Sequence, residues 1–169
     1  MAYDARGIAN YLLDYADSKR QSVTTMSLLK ILYFAHAWHL AKTGEPLVGQ
    51  PFEAWQYGPV CRVVYDQFKG SGKAPVEGRA MALNVSTACF ETASYDPVDT
   101  ATRQLLRQVF DSYSHLHAFR LSDLTHEKGS PWETVWEAAS RRAVPGMVIS
   151  NDAIREWFEH SRAGGGARQ

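Results

Sequence analysis

Three histidines stand where they could do chemistry. His36 and His39 lie three residues apart inside an apolar stretch, and His126 sits next to Glu127. Two imidazoles on one helical face can hold a zinc ion, provided a further histidine or carboxylate completes the tetrahedral set. Gathered with His126, they would make a metal-dependent hydrolase. Against this, no cysteine and no second histidine pair stands at ligand spacing. The plainer reading is that these histidines hydrogen-bond within or beside the core, with no resident metal or cofactor and no catalytic residue.

Other candidate motifs are weaker. Gly70-Ser71-Gly72-Lys73 suggests a phosphate loop, but Gln67 stands where its first glycine belongs and Ala74 where a Ser or Thr is required. A Cys61–His dyad is compatible with spacing, yet a cysteine in the first turn of an amphipathic helix is usually a packing residue. Lys30 is surrounded by large apolar neighbours, where a charge is costly unless it reaches water or a carboxylate; snorkelling is the expectation. Trp38, Trp55, Tyr57, Trp132 and Trp136 are large amphipathic rings. Most belong to a core, but Trp55 and Tyr57 lie near a turn and are of the type that anchors protein interfaces. Lys69, Lys73, Arg79 and the Arg141–Arg142 pair could serve a nucleic-acid regulator.

Stepping from these residues to the elements that must carry them, Thr24 to Thr43 reads as one buried helix. A threonine hydroxyl can cap its start, and Gly44 can take the left-handed conformation that ends it. Apolar residues from Leu28 to Ala41 fill nearly every side, the mark of a helix inside a core or a membrane. The run is shorter than the ~20 residues a bilayer needs, which makes it the central helix of a soluble domain. Asp4 to Ser18 has helical spacing ahead of it. Leu47 to Trp55 is extended and suggests a short edge strand or hairpin arm. Tyr57-Gly58-Pro59 makes a corner into a helix whose first turn holds Pro59 and which ends near Gly70. Gly70 to Arg79 is a flexible basic loop, and Leu83, Val85 and Phe90 permit a short strand within Met81–Tyr95. Asp99 to Leu116 is helical. Ser122 caps a short helical piece ending near His126. Ser130-Pro131-Trp132-Glu133 is a capping box with proline at the first helical position and starts another helix, with Trp132, Val135, Trp136 and Ala139 inward. Val144 to Ile149 connects to a last helix from about Asn151, and residues 163–169 are a disordered tail. The expected fold is mostly helical (α+β): a single compact domain, residues 1–162, around a buried central helix with a small β-hairpin or short sheet.

The bulk numbers narrow the function. Of 169 residues, 45% are hydrophobic and 12% aromatic, enough for a real core. Eighteen basic and eighteen acidic side chains cancel to zero formal charge, whereas nucleic-acid binders usually carry a basic excess. Two cysteines in unrelated contexts suit free thiols in a reduced compartment. No signal peptide is read at the start, and the expected location is the cytoplasm.

Lys30-Ile31-Leu32-Tyr33-Phe34-Ala35-His36-Ala37-Trp38-His39-Leu40, Gly44-Glu45-Pro46-Leu47 and Phe52-Glu53-Ala54-Trp55-Gln56-Tyr57-Gly58-Pro59-Val60 together resemble the signature of the Panacea domain, the SocA-like antitoxin family. Leu121-Ser122, Thr125-His126-Glu127 and Pro131-Trp132 resemble its second block, and the likeness runs from about Tyr3 to His160. It implies an antitoxin of a bacterial or prophage toxin–antitoxin pair, acting by binding a cognate protein toxin. Panacea domains are associated with diverse toxins. In the SocA branch the antitoxin is a proteolytic adaptor that presents its toxin to the ClpXP protease, while other members neutralise directly and some add a DNA-binding domain. No room is read here for such a domain, and the bare single-domain form favours the SocA branch. The family's motif falls on Lys30, Tyr33, His36, Trp55, Tyr57, Gly58, Pro59, His126 and Trp132, which either touch a partner or build the fold.

Overall fold

The computed structural model describes residues 1–141 and 145–164. Its centre is α2 (Thr25–Thr43), in which every residue from Leu28 to Ala37 is buried. Thr24 Oγ1 accepts from the Ser27 N–H, and Gly44 closes the helix at a φ of 77°. The other helices are α1 (Ala5–Ser18), α3 (Arg62–Phe68), α4 (Thr100–Tyr113), α5 (Ala118–Thr125), α6 (Pro131–Ala139) and α7 (Asn151–Gly164). Of these, α1, α3, α4, α5 and α7 pack on α2, so no face of the central helix is left to water.

A small antiparallel sheet in the order β2–β1–β5 lies against one flank, formed by Phe52–Trp55 (β1), Gly58–Cys61 (β2) and Val148–Ile149 (β5). β1 is therefore the hairpin arm that was one of two expectations, but it is the middle strand and not an edge. The corner at Tyr57-Gly58-Pro59 does not open a helix. Pro59 pairs with Ala54 inside β2, and α3 starts only at Arg62. Proline is tolerated there because β2 is an edge strand, where one missing ladder N–H faces away from the partner. Cys61 consequently ends the strand, buried, and burial pushes its thiol up to about 11.

Met81–Asn84 (β3) and Cys89–Thr92 (β4) form a separate hairpin. Asn10 of α1 ties down its base: its amide nitrogen donates to the Ala80 and Ala93 carbonyls at 3.0 and 2.9 Å, and its oxygen accepts the Ala80 N–H at 2.8 Å. The remaining differences are local. α5 is capped by His117, with Ser122 inside it. The Ser130–Glu133 box forms, although Glu133 returns to the Gly129 N–H. Trp136 is exposed and not inward, lying stacked on Trp132 at 5.4 Å. α7 runs to Gly164, so Ala163 and Gly164 belong to it, while the rest of the expected tail, and Val144 of the connector, lie outside the described residues.

Asn10 satisfies several buried backbone groups at once, and each unmet group costs about 1–3 kcal/mol. Asn10→Ala is expected to lower unfolding free energy by about 3 kcal/mol, measured by urea denaturation; a loss below about 1 kcal/mol would show that the hairpin needs no such clamp.

Candidate partner-binding site

Seven of the nine motif residues meet at one place, the turn between β1 and β2. Three of its carbonyls receive donors from three different helices: Lys30 Nζ of α2 reaches Pro59 O at 3.1 Å, Ser122 Oγ of α5 reaches Tyr57 O at 2.8 Å, and Trp132 Nε1 of α6 reaches Trp55 O at 2.6 Å. Gly58 lies in the middle with a φ of 114°, and a Cβ there would stand 2.6 Å from Thr125 Oγ1 and 2.7 Å from Lys30 Cε. No other residue fits the space or the backbone angle. His126 stacks on Trp132 at 3.9 Å, and its Nε2 is buried with no hydrogen-bond partner among the described residues. Burial, then the neighbouring Lys30 charge, holds this imidazole below its usual range.

Lys30 does not snorkel. It is 1% exposed, because the hairpin turn closes over its end and its neighbours on α2 are buried all round. Desolvation pushes its ammonium down to about 7. Beside it opens a groove of about 380 Å³ between the start of α2, the turn and α3, walled by Met26, Leu29, Trp55, Tyr57, Val60 and Tyr65. Trp55 meets Tyr65 edge-on at 4.9 Å and carries the Arg62 guanidinium over its face, itself paired with Glu53 at 3.1 Å. Tyr57 is 53% exposed at the rim. Met, Trp and Tyr around a concave apolar patch are the side chains that protein interfaces favour.

Tyr33 and His36 lie elsewhere. Tyr33 is buried edge-on against Phe34, Phe52 and Phe158, and burial drives its phenol far up. His36 Nδ1 accepts the Val48 N–H at 3.3 Å, which leaves Nε2 to donate to Asn151 Oδ1 at 2.8 Å. Both ring nitrogens are thereby committed to tying α2 to α7 and to the chain entering β1. His39 Nδ1 donates to the Glu45 carbonyl at 2.7 Å. The metal triad is not assembled: His36 and His39 have other partners, His126 faces Lys30, and no three potential ligands cluster among the described residues. Of the basic candidates, Arg79 is paired with Asp14 and Asp17, Lys69 with Asp66, Lys73 and Arg141 are exposed, and Arg142 lies outside the described residues.

Sequence reasoning missed Ser122 as a clamp and Met26 and Tyr65 as groove walls. A helix-cap reading accounts for the Ser122 hydroxyl locally; placed inside α5 and buried, that hydroxyl must find an acceptor elsewhere.

Two titrations follow. Burial holds His36 at about 4 in the fold against 6.5 ordinarily. Its neutral form then adds stability that is present above pH 6.5 and lost as pH falls towards 4. Thermal midpoints should drop across that window, and His36→Gln should flatten the drop; an unchanged slope would remove His36 as its source. Lys30 is pushed down as well, so the unfolded chain holds its proton where the fold does not, and stability rises with pH from about 7 towards 10.5. Lys30→Met is expected to be the more stable form at pH 6, the gap closing by pH 10; a variant less stable than wild type throughout would mean that the Pro59 bond outweighs the buried charge.

Comparisons with known proteins give the family. The family model described as "Antitoxin SocA-like, Panacea domain" matches residues 28–133, a span that begins at the core of α2 and closes just past Trp132. The protein named Antitoxin SocA from Caulobacter vibrioides (strain NA1000 / CB15N) is 31% identical over 159 residues, covering 94% of this chain and 84% of that one. No solved structure matches. No helix of the described residues is long and apolar enough to cross a membrane. With the buried core of α2, the clamped turn and His126–Trp132 all inside the matched span, the chain belongs to the SocA-like antitoxin family, built on a Panacea domain.

Proposed function

We propose that this antitoxin-family chain works by holding a cognate protein toxin, making and breaking no covalent bonds itself. The observation that carries the reading is the likeness to Antitoxin SocA along 94% of the chain. The aromatic-walled groove supports it, since it offers a docking surface where the histidines offer no gathered catalytic set. The zero formal charge and the internally paired Arg79 also favour a protein partner over nucleic acid.

Within that reading, the favoured mode is delivery: the chain holds its toxin and presents it to the ClpXP protease. The match to Antitoxin SocA, covering 94% of this chain and 84% of that protein, supports a reading along the SocA branch. A prophage setting for the pair rests on the same resemblance.

The test is co-expression with the adjacent reading frame in a bacterial host. That frame alone should arrest growth, and this chain should relieve the arrest. The toxin's half-life should shorten only when both this chain and ClpXP are present. Relief with an unchanged half-life replaces delivery by direct blocking. A harmless neighbour, or toxicity that this chain does not relieve, overturns the antitoxin reading.

A further inference from the structure

We infer that the groove beside Lys30 is the docking site for a segment of the toxin that sets an acidic side chain next to a bulky apolar one, the carboxylate meeting the Lys30 ammonium and the apolar group entering between Trp55, Tyr57 and Tyr65. This rests on the antitoxin reading and names the chemistry of its partner.

The argument starts from an incomplete ion. An ammonium has three donors. Among the described residues Lys30 Nζ meets one acceptor, the Pro59 carbonyl, and no carboxylate lies within ion-pairing distance. A neutral donor would satisfy that carbonyl as well as Ser122 and Trp132 satisfy theirs, at far smaller desolvation cost. The charge is therefore surplus to the fold.

The surroundings say what would use it. Lys30 and Lys69 both line the groove, Lys69 already paired with Asp66, and no acidic residue is among the described lining residues. At Gly58 the end of the Lys30 side chain, the Thr125 hydroxyl and the His126 ring converge, and the Glu53 carboxylate on β1 is occupied by Arg62. Apart from Thr25 and Gln56 the remaining walls are largely aromatic or aliphatic, so an entering carboxylate would find a cation in a mostly apolar setting, where a charged hydrogen bond is strong. The apolar walls supply contact area but cannot by themselves orient a ligand, and Lys30, the groove cation with no carboxylate partner among the described residues, fixes the register. The cavity of about 380 Å³ has room for one large side chain and a neighbouring carboxylate, not for a folded element.

The rival surface is the β3–β4 hairpin, where Leu83, Val85 and Phe90 are exposed. Its one charge, Glu91, is bonded within the hairpin to Asn84 and Thr87, and its exposed apolar side chains line none of the grooves described above.

The experiment measures affinity between the purified chain and the product of the adjacent reading frame, for wild type, Lys30→Met, Tyr57→Ala and Phe90→Ser. Lys30→Met should weaken binding about thirtyfold or more, the scale for losing one partner of a buried charge pair, while circular dichroism stays native. Tyr57→Ala, at an exposed position that does not threaten folding, should weaken it about tenfold or more. Phe90→Ser should leave it unchanged. Alanine scanning of the toxin's Asp and Glu residues should find one, flanked by a bulky apolar residue, whose loss is not additive with Lys30→Met. If wild type binds and the Lys30 and Tyr57 variants bind equally well, the groove is not the site. The inference is likewise overturned if Phe90→Ser alone abolishes binding, if no acidic residue couples to Lys30, or if removing the toxin's C-terminal residue replaces every such coupling. Absence of binding by wild type removes the antitoxin reading, and the inference with it.

Discussion

Three backbone carbonyls on one tight turn organise this protein. The β1–β2 corner is buried on its inner side, and its Trp55, Tyr57 and Pro59 oxygens each accept a bond from a side chain outside the hairpin. An unmet buried carbonyl costs about 1–3 kcal/mol, comparable to a large share of a domain's net stability. The donors come from α2, α5 and α6, so the same bonds that satisfy the turn also lock three helices to it and to one another. Gly58 allows the convergence, since Lys30 and Thr125 occupy the space that a side chain would fill.

Much of this was legible in the chain and some was not, and the boundary follows physical range. Signals that act within a turn or two of their own residue read correctly: Thr24 and Gly44 bound α2, and Ser130-Pro131 opens α6. Errors arose where a distant partner decides. Pro59 has the local credentials of a first helical turn, but pairing with β1 draws it into an edge strand. β1 looked like an edge until Val148–Ile149, nearly a hundred residues on, supplied its second neighbour. Trp136 fits an inward stripe by spacing, yet α6 is short and lies over the sheet, leaving the ring stacked on Trp132 at the surface. For Lys30, the sequence displayed the cost of burial but gave no sign of the carbonyl, 29 positions away, that receives its proton.

The histidines illustrate how residue type underdetermines role. His36 and His39 have the spacing of a metal pair, but one is fixed between Val48 and Asn151 and the other accepts a place beside the helix end at Glu45. His126 alone keeps a buried nitrogen unmatched, and it does so against Trp132 and close to Lys30. Ligand spacing is a property of one helix. A ligand set is a property of the fold, and this fold spends two of its histidines on tying segments together.

The clamped turn also bears on how one scaffold could serve different partners. Lys30, Ser122 and Trp132 hold main-chain oxygens, which are the same whatever side chain follows. Their bonds therefore fix the turn without constraining the groups it displays. Those groups point outward: Tyr57 stands at the rim, Gln56 is exposed, and Met26 and Tyr65 are only partly covered. A change at such a position alters what the groove accepts while costing the fold little, because surface substitutions away from buried features shift stability by only about 0.5 kcal/mol. The result is a rigid frame with a separately variable edge. Lys30 is where the two meet, since its Nζ clamps Pro59 and the same residue lines the groove.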